Sequence, residues 1–221
     1  MVTAFYFTEC NSQLACGLII SLFGDCMLDS PIKKTQESDM SRIPTPATID
    51  AAPAASQASL EAVNKLLGTV PNLFRIVANS PSTLEGYLGL NGALGQGALG
   101  AKTRERIALA VAEVNGCNYC LAAHQYLGLN LAKLSVDEVV ASRRGTSTDE
   151  KAAVAVNFAV KIVKNRGKVS DSDFAAVRSA GYTDDQIVEI VGHVALNTLT
   201  NYINEVLGTE IDFPAVAPLV A

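Results

Sequence analysis

The sequence predicts an all-α chain, and three observations carry that expectation. From Ser56 onward apolar residues recur between recognisable helix start and stop signals, no run shows strand alternation bounded by turns, and the joints are short. With 221 residues and 49% hydrophobic content, the chain can bury a core as a single domain.

Taken in order, "SLEAVNKLLG" closes on Gly68, and Pro71 opens "PNLFRIVANS". "SPSTLEGYLGLNGAL" follows and leads into the glycine-rich joint "GQGALG". No strand precedes that joint, so it reads as a loop between helices rather than a phosphate cradle. Thr103 is placed to cap "TRERIALAVAEV", with Glu105 in a first turn where a carboxylate suits the helix dipole. Capping boxes are expected at Ser135 with Glu138, Ser147 with Glu150, and Thr183 with Gln186. The last opens the long apolar stretch "QIVEIVGHVALNTLTNYINEVLG".

Residues 1–39 read differently. Their one apolar run, "LACGLIISLF", is too short to span a bilayer, and no Lys or Arg precedes it, as a signal peptide would require. They are expected to be a disordered extension or a start-site artefact, with the folded domain at 40–221 and a cytoplasmic location. The 17 basic and 22 acidic residues give a net charge of −5 without a basic stripe, which argues against a nucleic-acid partner. Of the five cysteines, Cys10, Cys16 and Cys26 fall in the extension, and the odd count does not fit a secreted disulfide framework.

The stretch "EVNGCNYCLAAH" gathers Glu113, Cys117, Cys120 and His124. On one continuous helix they would fall at roughly 0°, 40°, −20° and 20°, a single narrow face. Asn115 and Gly116 could instead break the helix, placing Cys117 at the first turn of a new one, where the helix dipole favours a thiolate. Either arrangement brings the two sulfurs within plausible disulfide reach.

Three chemistries compete for this pattern. Zinc accepts all four residue types, but four ligands on one helix span about 16 Å of rise, so closing a tetrahedral site needs ligands from elsewhere, and His193 is the other histidine. The cysteines could equally be small core hydrophobes. A redox site employs every group: a thiolate attacks the O–O bond of a peroxide, and a second thiol traps the resulting sulfenic acid as a disulfide. His124, one turn after Cys120, can move the proton, and Glu113 can orient it. That chemistry needs no metal and no other cofactor.

The ExxxCxxCxxxH pattern, "TRERIALAVAEVNGCNYCLAAH" and the ending "HVALNTLTNYINEVLGTEIDFP" resemble the carboxymuconolactone decarboxylase superfamily, in its AhpD-like alkylhydroperoxidase branch, over Met40 to Val216. The resemblance implies an AhpD-like helical bundle assembled as a homo-oligomer, a trimer or a hexamer. It implies hydroperoxide reduction, with Cys120 as peroxidatic cysteine, Cys117 as resolving cysteine, and His124 with Glu113 as proton relay. The expected partners are a hydroperoxide substrate and a thiol or dithiol reductant protein, with no membrane. AhpD itself carries its glutamate further upstream and a histidine between the cysteines, where this chain has Asn118 and Tyr119. Decarboxylase-type relatives generally lack the CxxC, so a lyase is the alternative enzyme.

Further along, His193, Asn197, Asn201 and Asn204 form a stripe that could wall a pocket, line a subunit contact or satisfy itself inside a bundle. Tyr119 and Tyr126 are expected to pack, and Arg143 and Arg144 to lie in a solvated loop.

Overall fold

A computed structural model describes residues 41–217 and 219. The expected extension, residues 1–39 with its three cysteines, lies outside the described residues. Among the described residues there are nine helices and no strand. They are α1 (Ala54–Leu67), α2 (Asn72–Val77), α3 (Pro81–Gly95), α4 (Ala101–Asn115), α5 (Asn118–Asn130), α6 (Val136–Arg143), α7 (Glu150–Lys164), α8 (Asp171–Ser179) and α9 (Asp184–Leu207).

Helix α4 is the hub. Every residue from Arg106 to Ala112 is buried, and a helix covered on all sides must have neighbours on all sides. It packs against α5, α6, α7 and α9. Ala108, Ala110 and Ala112 lie on this buried stretch, and side chains that short let the surrounding helices approach closely.

Helix α9 buries a polar stripe alongside its apolar residues Ile187, Ile190, Val194 and Leu196. Its polar residues His193, Asn197, Asn201 and Asn204 are buried, whereas Val188, Val191, Leu199, Tyr202 and Val206 are exposed. At about 100° per residue the two sets occupy opposite sides of the helix. The polar stripe of the sequence therefore faces inward.

Several ends form as their residues direct. Gly68 terminates α1 in the left-handed conformation (φ 76°), Pro71 precedes α2, and Ser135 caps α6 by accepting the Glu138 N–H. Gln186 accepts the Thr183 N–H at the start of α9. Other ends differ from expectation. Helix α4 starts at Ala101, not at Thr103, because Gly100 is its extended N-terminal neighbour. Asp149, not Ser147, caps α7, accepting from the Ala152 N–H at 2.8 Å.

The joint before α4 is a loop, as expected, although Gly95, Gly97 and Gly100 do fall at GxGxxG spacing. Its amide donors are already used: Glu189 of α9 accepts from Ala98 N and Leu99 N, both at 2.8 Å. A Cβ on Gly97 would stand 2.4 Å from the Glu189 carboxylate, so a side chain there would displace that carboxylate from the loop amides.

Glu138, also buried, ties α6 to α4. It accepts from Arg106 Nε at 2.7 Å and from Thr148 N at 2.9 Å, with the Ser147 and Thr148 hydroxyls as further donors. Burial opposes its charge, but these donors outweigh burial and hold the carboxyl at about 2. Because that value lies below the ordinary 4.5, its contribution to stability is complete above about pH 4.5 and is lost as pH falls through about 2. Removing one member of a buried ion pair strands the other charge and costs about 3–5 kcal/mol. Glu138→Ala is therefore expected to lower urea-unfolding stability at neutral pH by that order and to remove this group's share of the acid dependence; a loss under about 1 kcal/mol would contradict the assignment.

Candidate active site

The site starts from the end of α4. Gly116 is left-handed (φ 71°), its N–H bonds to Glu113 O at 3.2 Å, and the Cys117 N–H reaches back to Ala112 O at 3.0 Å. This double closure is a Schellman motif. Cys117 is at the same time the residue that caps α5, its sulfur accepting from Cys120 N at 3.3 Å. Of the two arrangements open to the sequence, the broken helix is the one that forms.

The break sets the electrostatics. Cys120 sits in the first turn of α5, where unpaired N–H groups and the dipole favour negative charge. Both cysteines are free thiols and buried. Asn204 donates its Nδ2 hydrogen to Cys120 Sγ at 3.2 Å from across the bundle. The hydrogen bond from the Cys117 thiol lowers Cys120 most; burial opposes it, and His124, Asn204 and Asn201 add to it, bringing the thiol to about 6. The same hydrogen bond, with burial, pushes Cys117 far up. One cysteine is thus held as the thiolate and the other as the thiol that donates to it.

His124 stands on α5 one turn after Cys120. Its Nδ1 lies 2.9 Å from Glu105 Oε2. Burial disfavours the charged ring, but the Glu105 carboxylate outweighs it, and Cys120 and Asn197 assist, so His124 is raised above its ordinary value. This geometry corrects the expectation for Glu113. Glu113 and His124 align only on one continuous helix; the turn at Gly116 folds α5 back on α4, so His124 meets Glu105, further from the turn. Glu113 is instead 2.7 Å from Arg143 Nε.

Arg143 is accordingly a correction too, since it is a buried residue of α6, bridging Glu113 and the Ala217 carbonyl; Arg144, just past that helix, is exposed. Tyr119 packs as expected: its hydroxyl accepts from Leu73 N at 3.0 Å and donates to Asp212 Oδ1 at 2.8 Å, with Phe213 edge-on at 5.8 Å. Tyr126 also packs on Phe213.

The α9 stripe walls the site. Asn204 contacts the sulfur, Asn201 Oδ1 accepts from Asn115 Nδ2 at 2.8 Å, and Asn197 Nδ2 donates to His193 O at 2.8 Å. Burial, then Arg104, lower the pKa of His193, favouring the neutral ring. From α3, Tyr87 completes the surroundings as a neutral phenol, raised by burial and by the charges of Cys120 and Glu105. Glu105 was placed in the sequence only as a helix-end charge; the ring it serves lies 19 residues on, and no local spacing announces such a pair.

Among the described residues no set of three or more His, Cys, Asp or Glu side chains is arranged to hold a metal ion. Among them, too, no helix is long and apolar enough to cross a membrane. What the arrangement offers is a buried thiolate, a neighbouring thiol and an imidazole charged through a carboxylate.

Known proteins resemble this chain in part of its sequence and in its fold. The model of the carboxymuconolactone decarboxylase family matches residues 81–165, from α3 through α7 and including both cysteines. An alkylhydroperoxidase AhpD core structure, a peroxidase-related protein from Ralstonia eutropha JMP134, is 27% identical with a TM-score of 0.70, covering 78% of this chain and 92% of that one. A peroxidase-related protein from Silicibacter sp. TM1040 is 25% identical with a TM-score of 0.69, covering 80% of this chain and 94% of that one. The debrominase Bmp8, solved with 2,3,4-tribromopyrrole, shares the fold at 19% identity and a TM-score of 0.65, covering 76% of this chain and 90% of that one. No protein of curated function matches the chain in sequence. Over α3 through α7 the chain is thus similar to the carboxymuconolactone decarboxylase family, and in fold it is similar to AhpD-related proteins.

Proposed function

We propose that the protein reduces hydroperoxides through a dithiol–disulfide cycle of Cys120 and Cys117, with His124 and Glu105 as the proton relay. The observation that carries this reading is the polarisation of the pair: Cys120 takes hydrogen bonds from Cys117 and Asn204 beside a charged His124. Structural cysteines have no need of such an arrangement. The peroxidase-related neighbours are in accord with it. Nothing at the site gives a lyase a use for two thiols.

In the cycle, the Cys120 thiolate attacks one peroxide oxygen, the O–O bond breaks, and the leaving alkoxide takes the proton from His124. Sulfur is oxidised by two electrons to the sulfenic acid as the peroxide is reduced to the alcohol. Cys117 then attacks that sulfur, forming the disulfide and releasing water. A thiol or dithiol protein outside the structure would restore both thiols.

Cys120→Ser is expected to abolish peroxide consumption, and Cys117→Ser to allow a single turnover. The reactive form pairs a Cys120 thiolate with a protonated His124. The rate of the first step should therefore rise as pH passes upward through about 6, where the thiolate forms, and fall once His124 loses its proton above its ordinary 6.5. Glu105→Gln should move the falling limb to lower pH and reduce kcat/KM by about 10²-fold or more, the usual worth of a general acid. Glu113→Gln should leave the profile in place. Full activity in Cys120→Ser would overturn the assignment of the nucleophile.

The proposed assembly is a homo-oligomer. The support is the outward side of α9, where Val188, Val191, Leu199, Tyr202 and Val206 are all exposed, Val188 and Tyr202 by 70% and 58%. Light scattering should give a mass several times the 23.2 kDa of the chain, and Tyr202→Glu should reduce it. A single-chain mass would count against an assembly.

A further inference from the structure

The stripe of asparagines has a feature that the thiol chemistry above does not use. Asn204 is 3% exposed and directs Nδ2 at Cys120 Sγ, yet its Oδ1, also buried, accepts no hydrogen bond. Asn201 is fully buried; its Oδ1 is occupied by Asn115, which fixes the amide, and its Nδ2 has no hydrogen-bond partner. That Nδ2 group nevertheless bears on the Cys120 sulfur. A donor that reaches the sulfur only weakly and an acceptor with no donor, a turn apart on α9, thus lie at Cys120. Buried polar groups are ordinarily paired, so such a matched couple calls for an explanation.

We propose that Asn201 and Asn204 form a receptor for the sulfenic acid of Cys120, Asn201 Nδ2 donating to its oxygen and Asn204 Oδ1 accepting its hydrogen. A sulfenic acid S–O–H presents one acceptor oxygen and one donor hydrogen, the complement of the Asn201 donor and the Asn204 acceptor. The inference rests on the peroxide-reducing reading, because the group it binds arises only when Cys120 takes an oxygen from peroxide. That step forms one S–O bond and breaks one O–O bond; the transferred oxygen keeps the hydrogen it carried in the hydroperoxide, and the alkoxide takes the His124 proton and leaves as the alcohol. Accepting the hydrogen at Asn204 Oδ1 keeps the acid neutral, and the neutral acid is a poorer nucleophile toward a second peroxide than the sulfenate anion. The receptor therefore preserves the intermediate until Cys117 attacks.

The test uses the full chain carrying Cys117→Ser, so that the acid persists. The protein is treated with cumene hydroperoxide, and intact mass separates the sulfenic acid, about 16 Da heavier, from the sulfinic acid, about 32 Da heavier. Adding Asn204→Leu or Asn201→Leu, each checked for retained helix by circular dichroism, is expected to raise the rate of conversion from the first species to the second about tenfold. In parallel, a crystal structure of the oxidised Cys117→Ser protein should place the new oxygen about 3 Å from Asn201 Nδ2 and Asn204 Oδ1; this needs no substitution on α9. Equal conversion rates in the folded variants, or an oxygen turned away with waters on the two amides, would overturn the receptor and leave the peroxide reading standing. Absence of the heavier sulfenic species from Cys117→Ser itself would overturn both.

Discussion

The left-handed turn at Gly116 is the constraint on which the site depends. It ends α4 with paired carbonyls and makes Cys117 the cap of α5, so that Cys120 falls in the first helical turn. Had the helix continued, both sulfurs would lie mid-helix, far from any unsatisfied N–H group. The same turn folds α5 against α4 and so selects which carboxylate serves His124. A β-branched residue at 116 would oppose the required φ and disturb the thiols and the His124–Glu105 pair together.

Around this turn, burial and polarity are balanced by pairing across elements. The thiolate is tolerable in the interior because three helices contribute to it: α5 its own N-terminus and Cys117, α4 the carboxylate that charges His124, and α9 the amides of Asn201 and Asn204. Helix α9 accordingly turns its asparagines inward beside Ile187, Ile190, Val194 and Leu196 and leaves valines and a tyrosine outward. The inward side keeps one buried acceptor, Asn204 Oδ1, that the resting site does not consume.

The fold was largely legible, for reasons visible at particular residues. Gly68, Pro71, Ser135 and Thr183 act locally, so their effects follow from neighbouring sequence. Thr103 and Ser147 were misleading because partners remote in sequence override local capping: Glu189 organises the loop before α4, and Glu138 claims the hydroxyl of Ser147. At the site, both cysteines and His124 stand out by spacing. Glu105 does not, because its pairing arises from the fold of two helices across a turn, and Glu113 was drawn in by an alignment that holds only for an unbroken helix. The asparagine stripe was visible as a pattern, but its direction toward sulfur depends on packing that no periodicity encodes.

The central claim is that a peroxide oxygen drives Cys120 and Cys117 to a disulfide. The most direct measurement is a thiol count with intact mass on the reduced domain, starting at Met40, before and after one equivalent of cumene hydroperoxide. The account predicts that two thiols disappear with a mass decrease of about 2 Da, the two hydrogens lost when a disulfide forms. Two thiols surviving at unchanged mass would contradict it.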